Sequence, residues 1–117
     1  MLSRERRVSR RQFPLILKAS RSLSTPVLSL RIATRSAERG QKPTSFAFIV
    51  SRQVAGRAVD RNRLKRRARA VVRELLPMVK DNYGCLLFFK PGATTLSYVE
   101  LKKLIQEILT RASLLTG

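Results

Sequence analysis

The chain carries a dense run of guanidinium groups between residues 57 and 73, where the sequence reads RAVDRNRLKRRARAVVR. Guanidinium is a rigid fork that binds phosphate oxygens and stacks on nucleobases. Apolar residues recur within and just after this run at helical spacing: Leu64, Ala68, Val71, Val72 and Leu75. One stripe of a helix can therefore bury against a sheet. The pattern predicts a cationic helix over about residues 57–77, held by the fold, with arginines facing a partner.

The whole composition supports a polyanionic partner. Lys and Arg number 25 against 7 Asp and Glu, so the formal net charge is +18. Nucleic acid, an anionic membrane surface or an acidic protein could each supply the counter-charge. Arginine outnumbers lysine, which favours nucleic acid over a lipid surface. The alternative is a merely solvated helix face, but arginines three and four residues apart repel each other and few acids lie nearby.

Residues suited to catalysis are missing from the sequence. It contains no histidine, the usual general base and a common metal ligand at neutral pH. The carboxylates are scattered as Glu5, Glu38, Asp60, Glu74, Asp81, Glu100 and Glu107. No glycine-rich phosphate loop or zinc-type spacing is present, and the lone Cys85 lies in an apolar run, typical of a buried residue. We expect no catalytic residue and no metal site in the polypeptide.

The elements that position the arginine run can be predicted from periodicity. A basic segment, residues 1–12, is expected to be mobile until it meets a polyanion. A helix follows, either capped by Ser9 or starting at Pro14. Alternation predicts strands over 27–34 and 45–52, paired antiparallel, with a loop between them over 36–44.

The second half of the chain completes the predicted sheet. The continuous apolar run 85–89 predicts a central strand covered on both faces. Ser97 and Glu100 fit a capping box that opens a helix over about 97–114. These elements predict one domain over residues 1–117, of the α+β or mixed α/β class, with one sheet. Since no apolar stretch is long enough to cross a membrane, we expect a cytoplasmic protein.

One face of this sheet carries small and polar groups beside the first helix. Its strand residues are Ser29, Arg31, Ala47, Ile49 and Ser51. Phe13 and Leu17 of the helix could form a groove with them that takes a single nucleic-acid strand, with Phe13 as a stacking surface. Phe13 and Leu17 could equally fill the core, and helical spacing does not separate the two alternatives.

Several segments in order resemble the protein subunit of bacterial ribonuclease P. They are the Phe13 to Ser20 helix, Val50-Ser51-Arg52-Gln53-Val54, Ala58-Val59, Arg61-Asn62-Arg63 followed by Leu64-Lys65-Arg66, the apolar strand running into Lys90-Pro91, and the helix after Ser97-Tyr98. The combined order is specific, whereas Arg-Asn-Arg alone is a weak signal. Members of this family often carry a second aromatic residue on the first helix, where this chain has Leu17.

The resemblance implies a fold and a set of contacts. The fold would be an α/β sandwich with one small mixed sheet and three helices, similar to ribosomal-protein S5 domain 2, with a left-handed βαβ crossover, an exception to the usual hand. The residues expected at a catalytic RNA are Arg57, Arg61, Asn62, Arg63, Lys65, Arg66 and Arg69. Those expected along a cleft for the 5′ leader of precursor tRNA are Phe13, Leu17, Arg31, Ile49 and Ser51.

By the same resemblance, the RNA would perform a magnesium-dependent hydrolysis, with the metal held mainly by RNA and no cofactor bound by the protein alone. The partners would be the catalytic RNA and precursor tRNA, without a membrane or an obligate protein partner. The leading hypothesis is thus an RNA-binding subunit of this tRNA-processing endoribonuclease. A stand-alone RNA- or DNA-binding protein of ribosomal or nucleoid type is second, and a self-sufficient nuclease is third.

Overall fold

Residues 2–19, 21–35 and 42–116 are described by a computed structural model, and within these ranges three helices and four strands occur. They are α1 (Gln12–Ala19), β1 (Arg21–Ser24), β2 (Leu28–Thr34), β3 (Ser45–Ile49), α2 (Ala58–Leu75), β4 (Tyr83–Phe89) and α3 (Tyr98–Arg111). Short 3₁₀ turns occur at Arg4–Arg6, Leu76–Met78 and Ala93–Thr95. The predicted α+β class, with one small mixed sheet and three helices, is confirmed. Ser20 and positions 36–41 of the predicted loop lie outside the described residues.

The sheet has the strand order β1-β2-β4-β3. β1 with β2 and β2 with β4 pair antiparallel, whereas β3 and β4 are parallel. The predicted antiparallel pairing of the 27–34 and 45–52 strands is therefore wrong, because β4 lies between them. Alternation shows which face of a strand is buried but not which strand is its neighbour. The helical crossover through α2 joins β3 to β4, and its left hand stays a prediction.

The inner face of the sheet forms the main core. Leu28, Leu30 and Ile32 of β2 pair with Phe89, Leu87 and Cys85 of β4, and all six are at most 5% exposed. β4 is central, as its apolar run predicts. Burial raises the pKa of the Cys85 thiol, so this residue is an inert part of the core.

Two helices cover the inner face. The buried residues of α2 are Leu64, Ala68, Val71, Val72 and Leu75, the stripe predicted from spacing. α3 buries Leu101, Ile105, Ile108 and Leu109. Ser97 caps α3: its backbone N–H donates to Glu100 Oε1 at 2.8 Å, and Glu100 N–H donates to Ser97 Oγ at 3.1 Å. Both bonds lower the pKa of Glu100, and the bond from the Ser97 backbone N–H has the larger effect. The predicted capping box is therefore confirmed.

α1 packs on the opposite, outer face of the sheet, against β2 and β4. Ser9 Oγ accepts a hydrogen bond from Gln12 N–H, and Gln12 Oε1 accepts one from Ser9 N–H, both at 3.2 Å. The predicted Ser9 cap is therefore confirmed and the alternative start at Pro14 is wrong, since α1 begins at Gln12. Ile16 is 6% exposed, and a Cβ on Gly84 would lie 2.5 Å from its Cδ1 atom. Glycine at this position lets α1 approach the sheet closely.

The basic N-terminal segment lies along the edge of β3. Val8 N–H donates to the Phe46 carbonyl at 3.1 Å, and Arg7 and Phe46 form an isolated parallel bridge. Leu2 is 3% exposed and belongs to the inner core. The segment covers a strand edge that would otherwise present unpaired backbone groups. Its predicted mobility in the absence of a polyanion stays a prediction.

Candidate nucleic-acid interface

The outward side of α2 displays the cationic residues predicted from the sequence. Exposed positions are Arg57, Asn62, Arg63, Arg66 and Arg73, and half-buried ones are Arg61, Lys65, Arg67 and Arg69. We call this set, without Arg61, the arginine surface. The buried stripe of α2 anchors the helix against the sheet, so the cations are held on a rigid element.

The guanidiniums of the arginine surface are largely available for a ligand. Among the described residues, no hydrogen-bond or ion-pair partner occurs for the side chains of Arg57, Arg63, Lys65, Arg66, Arg69 and Arg73. Like charges at this spacing repel one another along a helix. A polyanion on this side would relieve that repulsion and release its own counterions.

Arg61 differs from the arginines around it. Its Nη1 atom donates to the carbonyl oxygens of Ala55 and Gly56, both at 3.0 Å. These carbonyls belong to the turn that leads into α2. Arg61 is also half-buried, so its side chain is held against the protein. Its guanidinium fastens the start of α2 to the preceding turn.

A cavity of about 550 Å³ opens beside the first turns of α2. Arg63 and Arg67 line it together with Asp60 and Glu100, and residues 94–97, just before α3, form another part of its wall. Arg67 Nη1 donates to the Leu96 carbonyl at 3.3 Å. Arg67 therefore connects α2 to the start of α3, while Arg63 has no such bond and stays exposed.

We call the outer-face groove the region beside α1 on the outer face of the sheet, where the structure places Phe13, Leu17, Arg31 and Ile49. Phe13 is half-buried, and Leu17 is 36% exposed. Arg31 Nη1 donates to the Leu17 carbonyl at 3.5 Å, so the structure brings these two predicted residues together. Ile49 is half-buried on the same sheet face, at the C-terminal end of β3.

Ser51 lies just beyond this strand rather than within it. Its carbonyl accepts hydrogen bonds from the N–H groups of Val54 and Ala55, at 3.1 and 3.2 Å. The predicted strand over 45–52 therefore ends at Ile49, because this turn redirects the chain toward α2. Ser51 is exposed and lies in the chain between the end of β3 and the start of α2.

Phe88 is an aromatic residue of the outer face that sequence reasoning missed. It pairs in register with Ser29 and Ile49 and is half-buried. Phe88 is four residues beyond Gly84, about 13 Å along the strand and away from the position under Ile16. The signal was alternation inside the apolar run 85–89, which places Leu86 and Phe88 opposite Cys85, Leu87 and Phe89.

Two further properties concern the residues that the structure describes. No group of three or more His, Cys, Asp or Glu side chains is arranged there to hold a metal ion. No helix in the described ranges is long and apolar enough to span a membrane.

Comparison with known proteins agrees with this architecture. The profile of the ribonuclease P family matches residues 1–113. The ribonuclease P protein component of Synechococcus elongatus is 34% identical over 109 residues, covering 92% of this chain and 89% of the relative.

Two solved structures share the fold. The RNase P protein of Thermotoga maritima superposes with a TM-score of 0.78 at 21% identity, covering 95% of this chain and 98% of that one. That of Staphylococcus aureus has a TM-score of 0.80 at 16% identity, covering 92% and 94%. With the profile match over nearly all of its length, the chain belongs to the ribonuclease P protein component family.

Proposed function

We propose that this protein binds the catalytic RNA of ribonuclease P through its arginine surface, with the hydrolysis carried out by that RNA. The observation that carries the proposal is the set of unpartnered guanidiniums on a helix whose other side is buried. Phosphate contacts of this kind supply affinity and position the partner. Arg57, Asn62, Arg63, Lys65, Arg66 and Arg69 would contact RNA, whereas Arg61 would act mainly by fixing the start of α2.

We propose further that the 5′ leader of precursor tRNA lies in the outer-face groove. Phe13 and Leu17 would form one wall, and Arg31 and Ile49 the floor, with Ser51 at the exit toward α2. Phe88 adds an aromatic surface on the floor, which compensates for the aliphatic Leu17 on α1. Half-buried aromatic rings can stack on successive bases without reading their sequence.

Magnesium would serve the reaction from the RNA side. Phosphate oxygens are hard ligands suited to this ion, which usually retains several of its waters. The protein would reduce repulsion between two polyanions and thereby lower the magnesium concentration that the holoenzyme needs. Since its proposed partners are the catalytic RNA and precursor tRNA, we place its action in the cytoplasm, without an obligate protein partner.

Cleavage of precursor tRNA at low magnesium tests this proposal. Protein alone, catalytic RNA alone and their mixture are compared on a substrate with a leader of several nucleotides. We expect cleavage by the mixture to exceed that by the RNA alone, and none by the protein alone. Cleavage by the protein alone would contradict the assignment of catalysis to RNA. No gain on mixing would favour a stand-alone nucleic-acid-binding protein.

A further inference from the structure

A second cavity, of about 680 Å³, lies between α2, the start of α3 and the N-terminal segment. Its lining residues are Leu2, Arg7, Arg66, Arg69, Ala70, Arg73, Glu74 and Tyr98. Pockets for small ligands typically measure about 300–1,000 Å³. We call it the Tyr98 cavity. It belongs to the helical layer of the molecule, on the other side of the sheet from the outer-face groove.

The charges of the residues that line the Tyr98 cavity favour an anionic ligand. Four guanidiniums line it against one carboxylate. That carboxylate, Glu74, is already engaged: Tyr98 Oη donates to its Oε2 at 3.2 Å, and Lys102 Nζ lies 3.3 Å from the same oxygen. Within the described residues, Arg7, Arg66, Arg69 and Arg73 have no side-chain partner. A phosphate group would satisfy guanidiniums that otherwise only repel each other.

The rest of the lining suits a flat apolar group. Tyr98 is half-buried at the first position of α3, directly after the Ser97 cap. Its hydroxyl bond to Glu74 restrains the ring, and burial together with the Glu74 charge raises the pKa of Tyr98. The Ala70 and Leu2 side chains add apolar surface nearby. An aromatic ring beside guanidiniums is the combination that binds unstacked bases.

We propose that the Tyr98 cavity binds one unstacked nucleotide, with its base on the Tyr98 ring and its phosphate among Arg7, Arg66, Arg69 and Arg73. Because Arg66 and Arg69 also belong to the arginine surface, we assign this nucleotide to the catalytic RNA. This assignment rests on the proposed function. The leader strand is not the occupant, since α1 and its groove lie on the opposite face of the sheet.

The nucleotide preference is tested on the full-length free protein, independently of any ribozyme. The ring resonances of Tyr98 are followed by NMR during titration with 5′-AMP and, separately, ribose 5-phosphate. The chain has two tyrosines, so Tyr83 on β4 is an internal control. We expect a saturable shift of the Tyr98 ring with AMP, at least about fivefold tighter than with ribose 5-phosphate, and an unchanged Tyr83. Equal responses to both compounds, or none at Tyr98, would overturn the proposal.

The source of the nucleotide is tested with the catalytic RNA. Tyr98→Leu should raise the Kd for that RNA at least about fivefold without changing its salt dependence, since no charge is removed. Tyr98→Phe keeps the ring and should bind within about twofold of wild type. An AMP response combined with wild-type RNA affinity in Tyr98→Leu would overturn the RNA assignment and indicate a free nucleotide. If the wild-type protein does not increase cleavage by the catalytic RNA, the proposed function is rejected. The AMP titration still shows whether the Tyr98 cavity binds a nucleotide.

Discussion

Two arginines of the same motif have different surroundings, although only Asn62 separates them. Arg61 donates to two backbone carbonyls of the turn before α2, whereas Arg63 is exposed. Hydrogen bonds from a charged donor contribute about 1.5–3 kcal/mol each when they are not fully solvated. A fully exposed arginine contributes little to folding. Arg61 therefore fixes the start of the helix, whereas Arg63 is a residue that we propose contacts the RNA.

Alanine variants at the two positions should affect different properties, RNA affinity for Arg63 and stability for Arg61. Arg63→Ala should weaken binding of the catalytic RNA by about 1–3 kcal/mol and reduce the salt slope by about one. Its unfolding free energy should stay within about 0.5 kcal/mol of wild type. Arg61→Ala should instead lower the unfolding free energy by about 1–3 kcal/mol. Filter binding over a range of salt and urea denaturation measure these quantities.

The control for Arg63→Ala is Arg111→Ala, which removes the same charge from an exposed position in the last turn of α3. It should leave RNA affinity nearly unchanged. An equal loss of affinity in both variants would mean that the overall charge, rather than the arginine surface, determines binding. An unchanged salt slope in Arg63→Ala would mean that Arg63 is only solvated.

At the scale of elements, sequence patterns predicted which faces are buried better than which elements are neighbours. The buried stripe of α2 follows directly from helical periodicity, because it needs only local geometry. β1 was missed because its four residues Arg21–Ser24 are mostly polar and give no alternation. Its position depends on hydrogen bonding to β2, which is tertiary information.

The candidate site likewise has one part that local sequence patterns predict and another part that depends on tertiary contacts. The arginine surface was predictable because its residues are contiguous on one helix. The floor of the outer-face groove joins β2, β4 and β3 in an order that no local pattern encodes. Phe88 was concealed by an apolar run in which both faces look buried.

The seating of α1 on the sheet depends on Gly84. A methyl group there would meet Ile16 Cδ1 at 2.5 Å and Cγ1 at 3.0 Å, so α1 or the Ile16 side chain must move. Gly84→Ala should lower the unfolding free energy by about 1–3 kcal/mol, the usual cost of overpacking. It should also weaken the leader-dependent part of precursor binding that we propose for the outer-face groove, because Phe13 and Leu17 move with α1. Urea denaturation and leader-dependent binding measure the two effects.

Ile16→Val provides the matched test, because it removes the Cδ1 atom of closest approach. Combined with Gly84→Ala, it should recover part of the lost stability, giving a favourable coupling of at least about 0.5 kcal/mol in a double-mutant cycle. Strict additivity of the two substitutions would show that α1 does not press on Gly84 in solution.

At the scale of the whole molecule, the sheet separates two surfaces with different chemistry. The helical layer carries the arginine surface over a core of β2 and β4 side chains. The outer face carries half-buried aromatic and small residues beside α1. A chain with a formal net charge of +18 can thus hold one polyanion by its phosphates and contact a second strand by its bases. Such a division predicts that the two surfaces act independently.

The independence of the arginine surface and the outer-face groove can be tested by measuring cleavage of precursor tRNA by the reconstituted holoenzyme. Phe88→Leu, which keeps apolar volume but removes the ring, should raise KM by an amount equivalent to about 1–3 kcal/mol for one stacked base. This effect should vanish with a substrate whose leader is too short to reach Phe88.

Arg63→Ala should weaken holoenzyme assembly to the same extent with the long-leader and the short-leader substrate. In the double variant the two free energies should add within about 0.5 kcal/mol, as expected for separate sites. Coupling above about 1 kcal/mol would show instead that the leader and the catalytic RNA share one surface, since residues of a common contact network couple at this level.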